Sequence, residues 1–333
     1  MVGRFVLAIV GLVGLAGCAS AAPKPISLAV SPGEAAVEGE FQRRLVLEQQ
    51  FINEHRLDTI RYRLATAAAP FCRGDARREF GLRVANSWSF TGGDSAVARV
   101  GFGFDDRLRV QHLVPDSPAR RSGLHSGDAI LEANGRAIGA DAGAVTQFAS
   151  ESDRGPLALA VERPGARGEA PRRFTVRIDA VEACRFDIQL LNQEAVSATV
   201  TGRGIAVTKG MMWFANDAQL AFVIAHELAH VVGDHARLVQ RGAMRQVEVE
   251  AAADYLGLYV MARAGYDIAE APQFWRRIAA NFPHMMAQAA THPGTSYRYV
   301  ALTKAVEEIR VKLASGAPLM PGTAPELARA GGN

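Results

Sequence analysis

Cysteine is scarce in this chain, with three among 333 residues, too few for a fold stapled by a disulfide framework. No internal repeat recurs, which excludes solenoid and propeller architectures. Charge of one sign is lacking too: the formal balance is +3, and the pairs Arg43-Arg44, Arg120-Arg121, Arg172-Arg173 and Arg276-Arg277 are dispersed along the chain. Solvated faces account for them, so no nucleic-acid partner is expected. The apolar run of residues 5–16 falls short of the roughly 20 residues that a bilayer span requires. What the chain does have is length for two domains, and a 49% hydrophobic content that can supply a core for each.

His226-Glu227-Leu228-Ala229-His230 is the most informative stretch. Four residues apart on a helix, His226 and His230 share a face, so both rings can reach one ion while Glu227 projects beside them toward water. Asn216 with Gln219 three residues later reads as the cap of that helix, ahead of the apolar residues 220–224. One zinc ion per chain needs a third protein ligand, and the next helical stretch, residues 245–264 closed by Gly265, supplies Glu250. Asp254, one turn later, is placed to accept from a ligating imidazole and set its tautomer. Glu248 is the rival ligand, but at two positions' remove it points elsewhere on the same helix. The longer HExxHxxGxxH pattern is excluded, because Ala236 stands where its third His belongs. His235 is one residue early, about 100 degrees round a continuing helix, and reads as structural or solvent-facing. In the chemistry this site suggests, Glu227 takes the proton of the attacking water and delivers it to the leaving amine.

His226 to His230, then Glu250-Ala251-Ala252-Ala253-Asp254, then His292-Pro293 with Arg298, resemble in their order the zinc metallopeptidases that include CAAX prenyl proteases, HtpX-like proteases and their periplasmic relatives. The resemblance runs over residues 196–313. Thermolysin-like enzymes share the ligand set, and the HPxxxxR element separates the two. The resemblance implies that residues 196–210 form an edge strand beside the metal, which can hold an extended substrate by main-chain hydrogen bonds. Val196-Ser197 depart from the Asn-Ala with which relatives often open that segment. It implies catalytic roles for His292 and Arg298 as well. His292 would polarise the tetrahedral intermediate or occupy the open zinc position in a resting state, and Arg298 would hold a carboxylate or help stabilise the oxyanion. Arg298 near a helix N-terminus opposes the helix dipole and so needs a partner.

A second module precedes this one. Gly101-Phe102-Gly103-Phe104 resembles the carboxylate-binding loop of PDZ domains, and Ser117-Pro118-Ala119, Gly123-Leu124, Gly127-Asp128-Ala129-Ile130 and Asn134-Gly135 follow in the order seen in bacterial PDZ domains. In such a loop successive backbone N–H groups converge on a peptide's terminal carboxylate, and the following strand takes the peptide as an added edge. Residues 142–150 would be the helix lining the groove, with Val145 and Phe148 as pocket residues. C-terminal peptides are the partners this implies.

Near the start, Leu15-Ala16-Gly17-Cys18 resembles a bacterial lipobox, which implies cleavage before Cys18, a lipid on that Cys, and a membrane anchor. Ala19-Ser20, with no Asp after the lipidated residue, implies the periplasmic side of the outer membrane of a Gram-negative bacterium. Cys72 and Cys184 then remain as one possible disulfide in an oxidising compartment, with two free buried thiols as the alternative. Residues 34–66 read as a helix with Phe41, Leu45, Phe51, Ile52 and Ile60 as its apolar positions. His55, His112, His125 and His284 read as structural, and Trp213, Phe214, Trp275 and Phe282 as packing residues.

The expected fold is α+β: a mainly helical zincin-type metallopeptidase domain with a small edge-strand sheet, interrupted by a β-rich PDZ-like domain. Its expected parts are a lipoprotein signal peptide (1–17), a tether (18–33), the N-terminal helical part of the peptidase (34–92), the PDZ-like domain (93–182), the metallopeptidase proper (183–316) and a mobile tail (317–333). The substrates implied are unfolded or misassembled envelope proteins. The alternative is an outer-membrane binding or assembly factor whose hydrolysis is suppressed or little used.

Overall fold

The structure, a computed structural model, describes residues 28–322 apart from 73, 75, 167, 168, 203, 288 and 290. The expected signal peptide, Cys18 and most of the tether lie outside the described residues. The described residues divide into two units, one up to residue 40 and one from residue 41. In the first, helix α1 (Pro32–Ala68) starts with a reciprocal cap: Glu34 N–H donates to Ser31 Oγ at 3.2 Å, and Ser31 N–H to the Glu34 carboxylate at 2.8 Å.

In the second unit, α1 buries Leu47, Leu57, Ile60 and Leu64, whereas Phe41, Leu45 and Ile52, expected on the packed face, are exposed. At about 100 degrees per residue those three share one stripe roughly a quarter turn from Ile60, and it is the Ile60 side that meets neighbours. Beyond α1, β1 (Ala76–Glu79) opens a long excursion through β2 (Leu82–Ala85), α2 (Gly93–Phe102), β3 (Arg109–Leu113), α3 (Pro118–Arg121), β4 (Ala129–Ala133), β5 (Arg136–Ala137), α4 (Ala144–Ser152), β6 (Leu157–Arg163) and β7 (Arg172–Ile178). It closes where β8 (Val181–Cys184) pairs antiparallel with β1, Ala76 opposite Cys184 and Glu79 opposite Val181. Cys72 and Cys184 form a disulfide at this neck, with their Cα atoms 5.6 Å apart.

The excursion folds as a sheet in the order β2-β3-β4-β6-β7, with β5 paired to β4. In β6 the period-two pattern buries Leu157, Leu159 and Val161, which join Val110, Ile130 and Phe148 of α4 in a core of their own. The α1 helix is fastened to this sheet by Asp58, which accepts two hydrogen bonds from Arg83 at 2.5 and 2.9 Å and lies 2.8 Å from His112 Nε2. Since β2 belongs to the sheet, the module begins before residue 93, where its boundary was expected. Four residues that include an arginine are too short a run to show strand alternation.

The chain then leaves the excursion. Strand β9 (Asp187–Leu191) runs parallel to β11 (Gly204–Thr208), while β10 (Ala198–Thr201) pairs antiparallel with β11 and forms the outer edge. Helices α5 (Lys209–Phe214), α6 (Asp217–Val232), α7 (His235–Gln240), α8 (Gln246–Arg263), α9 (Glu270–Asn281) and α10 (Thr295–Ser315) complete the body. Helix α6 is buried from Gln219 to His226 without a break, so it is the central helix of the body rather than a surface one. Leu57, Ile60 and Leu64 of α1 share one core with α6, α8, α9 and α10, so the segments before and after the excursion make a single body. The expected mobile tail is partly pinned. Lys312 Nζ donates to the Met320 carbonyl at 2.8 Å, Arg263 Nη1 to the Leu319 carbonyl at 3.3 Å, and Gly322 N–H to Tyr255 Oη at 3.2 Å. Residues 323–333 lie outside the described residues. Among the described residues no helix is long and apolar enough to cross a membrane. The architecture is α+β, a helical body with a three-stranded sheet interrupted by a β-rich module.

Candidate metal centre

Asn216 caps α6 by accepting from Gln219 N–H at 2.8 Å, and the helix then runs unbroken through the HExxH stretch. Across it lies α8, and the crossing is tight at Gly257, where a Cβ would stand 2.9 Å from His226 N and 3.0 Å from Ala225 C. Only glycine fits there. A mid-helix glycine costs about 1 kcal/mol of helix propensity, and in exchange α8 brings Glu250 and Asp254 against the two imidazoles. The sequence signal for such a crossing is an isolated glycine inside a helical run.

Nε2 of His226 lies 3.1 Å from Nε2 of His230; Glu250 Oε2 is 3.4 Å from the first and Oε1 3.6 Å from the second. One ligand atom from each of the three falls within 4.8 Å of the others, a set that could hold a metal ion. Two nitrogen donors and one carboxylate are a donor set that fits zinc. Glu248 turns away to close the α8 cap, accepting from Arg245 N–H at 2.7 Å. Gln246 Nε2 steadies Glu250 Oε1 at 3.0 Å.

Behind His226, Asp254 Oδ1 stands 2.9 Å from Nδ1. Arg298 grips Asp254 in turn, through Nε to Oδ2 at 2.7 Å and Nη2 to Oδ1 at 2.5 Å, and its guanidinium stacks 3.6 Å from the Trp275 ring centroid. Arg298 is 4% exposed and spent on Asp254. The expectation that it faces substrate is therefore corrected: it is a positioning residue, and the partner its place near the α10 N-terminus demanded is Asp254. Trp275, read as packing, walls off that pair. His230 is backed by His235, Nδ1 to Nδ1 at 3.0 Å. His235 is buried beside the centre, not solvent-facing, because the chain bends after Val232 instead of continuing as a helix.

His292 does reach the centre. Its Nε2 lies 3.6 Å from Glu250 Oε2, its Nδ1 is 2.8 Å from Thr291 Oγ1, and its side chain is half exposed. Glu227 takes no part in the three-residue set and lies close to the backbone of Val200 in edge strand β10. Burial lifts the Glu227 carboxyl above its ordinary range, partly opposed by His226. A carboxylate made more basic in this way is suited to take a proton from water.

The metal-free charges follow the same partners. Burial opposes charge on His226, but the hydrogen bonds to Asp254 and Glu250 outweigh it and raise the imidazole to about 9. Burial and the His226 charge push His230 down, so the pair carries one proton rather than two. Asp254, despite burial, is held at about 2, chiefly by Arg298 and His226.

The PDZ-like residues are placed differently from expectation. Gly101 and Phe102 end α2, Gly103 is its left-handed cap at φ 72°, and the N–H groups of Gly103 and Phe104 are taken by the Arg99 and Ala98 carbonyls at 3.2 and 3.1 Å. Phe102 and Phe104 pack with Leu47, Phe51 and Phe90. No amides remain there to meet a carboxylate, and β3, which follows, is flanked by β2 and β4 and cannot take a further strand. The end strands are β2 and β7, and the turn before β2 is Phe80-Gly81-Leu82. Gly81 has φ +74°, and a Cβ there would lie 2.2 Å from that of Ser117, so this turn also admits only glycine. Leu82 and Val84 share a core with Val145 and Phe148 of α4, which makes β2 and α4 the two sides of the candidate groove.

Residues 177–249 match the profile of Peptidase family M48, and residues 81–176 match the profile of the PDZ domain. The second match opens at Gly81, at the turn just described. Among solved structures, the HtrA3 PDZ domain bound to a phage-derived ligand (FGRWV) is 22% identical, with 32% of this chain and 88% of that chain covered and a TM-score of 0.24. No curated protein matches the chain. The first match ends one residue short of Glu250, so the third donor rests on geometry alone. With His226 to His230 inside one matched segment and the β2 edge inside the other, the chain carries a Peptidase family M48 domain and a PDZ domain.

Proposed function

We propose that the protein is a zinc-dependent endopeptidase whose PDZ module engages exposed C-termini of its substrates. The observation that carries this reading is the convergence of His226 Nε2, His230 Nε2 and the Glu250 carboxylate, with Glu227 beside them on the same helix turn. A zinc ion held by those three side chains would supply Lewis acidity, polarising the scissile carbonyl and making a water easier to deprotonate. The remaining work falls to the chain's own groups. Strand β10 offers its free edge to an extended peptide and orients the scissile amide, with side-chain tolerance set by main-chain pairing. Glu227 accepts the proton of the attacking water on its carboxylate and returns it to the leaving amine. Asp254, fixed by Arg298, holds His226 in the tautomer whose Nε2 faces the metal. His292, on the exposed side of Glu250, is placed to donate to a developing oxyanion.

For the PDZ module, the Phe80-Gly81-Leu82 turn would receive the terminal carboxylate, and a peptide would add to the β2 edge opposite α4. A lipid on Cys18 would anchor the protein on the periplasmic side of the outer membrane, with unfolded or misassembled envelope proteins as substrates. The experiment is to compare wild type with Glu227→Gln for zinc content and cleavage of an unfolded protein. Equal zinc with cleavage only in wild type supports the reading, and cleavage by the variant at the wild-type rate overturns the assignment of the base.

The position of His292 also favours a second reading, in which hydrolysis is held off and the protein acts mainly by binding. A zinc-loaded wild type that binds C-terminal peptides yet leaves unfolded proteins intact would select it.

A further inference from the structure

The two imidazoles of the metal centre have unlike groups behind them. His226 Nδ1 backs onto the Asp254 carboxylate, whereas His230 Nδ1 backs onto another imidazole, His235, at 3.0 Å. Two local departures from ordinary helix preference bring His235 there. After α6 ends at Val232, Asp234 adopts a left-handed conformation with φ 50°, which residues other than glycine take only occasionally. That turn sets His235 at the start of α7. Gly233 then supplies the room, since a Cβ there would lie 2.3 Å from His235 Nε2 and 2.5 Å from Cδ2. The His235 ring stands edge-on to that of His230, with centroids 4.9 Å apart, and is 6% exposed.

We propose that His235 is a positioning residue for His230, its Nδ1 accepting the Nδ1–H of His230 so that His230 Nε2 is left unprotonated and aimed at the metal. This rests on the reading of His226, His230 and Glu250 as the zinc ligands. A neutral ring orients without adding negative charge, and the Asp254 charge behind His226 is already balanced by Arg298. Neither backing group then dilutes the positive charge that zinc and Glu250 together leave at the centre, which is the charge that activates water.

A purely structural role for His235 predicts something different, and the variants separate the two. His235→Phe keeps the ring's bulk and loses the acceptor; His235→Asn loses bulk and keeps an acceptor near the Nδ1 position. Zinc affinity by chelator competition, the visible spectrum of the Co2+-loaded protein, and the melting of the metal-free protein are to be measured for both. Loss of an outer-shell partner typically weakens metal binding about 10–100-fold. His235→Phe is expected to lose zinc affinity on that scale with a shifted Co2+ spectrum, while the metal-free fold is kept and His235→Asn recovers most of the affinity. Gly233→Ala, which leaves the imidazole in the chain but pushes its ring away, is expected to lose affinity too and serves should the Phe variant fail to fold. The proposal is overturned if His235→Phe, or Gly233→Ala in its place, matches wild type in zinc affinity and Co2+ spectrum. A wild type that takes up no zinc, or a His226→Ala chain that takes it up as wild type does, instead overturns the metal-centre reading itself.

Discussion

A proton and a metal ion compete for the same nitrogen of His226. In the metal-free protein burial works against that proton, but Asp254 and Glu250 keep it on the ring up to about 9. If zinc binds as proposed, it must therefore displace that proton at neutral pH. The apparent zinc affinity is expected to rise about tenfold per pH unit between 7 and 9 and to flatten above, as read by chelator competition across that range. A flat profile over the same interval would mean that His226 does not hold the metal. The sign for the fold runs the same way. His226 has a folded-state value raised above its unfolded value of about 6.5, so its contribution to metal-free stability is full below that pH and is lost as pH rises through 9. Part of this site was legible from residue spacing, because helix geometry puts His226 with His230 and Glu250 with Asp254 one turn apart, while the facing of the two pairs depends on the α6–α8 crossing at Gly257. Arg298 and His235 were not, since each acquires its partner across a chain reversal that spacing does not record.

Helix and strand explain which contacts the sequence could not show. Gly257 sits mid-helix in α8, and replacing it with Ala would ordinarily gain about 1 kcal/mol of helix propensity. Here the new Cβ meets the backbone of α6, which cannot yield as a side-chain tip can, and overpacking of this kind costs about 1–3 kcal/mol. Gly257→Ala is expected to be net destabilising in urea denaturation and to weaken zinc binding by parting the two helices. If it stabilises the protein, the close crossing is not as described. The groove of the PDZ module offers a parallel contrast. Gly81 and Gly103 both have positive φ, but only Gly81 is pressed against a neighbour, the side chain of Ser117. Gly81→Ala is expected to abolish binding of a fluorescent C-terminal peptide to the full protein, whereas Gly103→Ala costs about 1–2 kcal/mol of stability and leaves binding intact. Loss of peptide binding in Gly103→Ala alone would restore the 101–104 segment as the binding loop. The Gly-Phe repeat misled because loop glycines and helix-capping glycines look alike in sequence. What separates them is whether the next strand is at an edge or inside the sheet.

At the scale of the molecule, one helix serves both the body and the PDZ sheet. Ile60 and Leu64 of α1 lie in the body around α6, while Asp58 on the same helix fixes Arg83 and His112 of the PDZ sheet. The neck adds the β1–β8 pairing and the Cys72–Cys184 disulfide. How much that disulfide stabilises depends on what unfolds with what. The two cysteines are 112 residues apart, and closing a loop of that order in a fully unfolded chain would be worth about 4–5 kcal/mol in entropy. If the PDZ module stayed folded while the body melted, β1 and β8 would already hold the ends together and the effective loop would be only a few residues long. The shared helix argues against that separation, because melting α1 removes Asp58 from the sheet as surely as it removes Ile60 from the body. The expected outcome is a single denaturation transition in the oxidised protein, and a loss of about 2–4 kcal/mol when both cysteines are replaced by Ala. Two resolved transitions in the oxidised protein, with the later one unmoved by the double replacement, would show that the module folds independently of α1 and that the disulfide constrains only the neck.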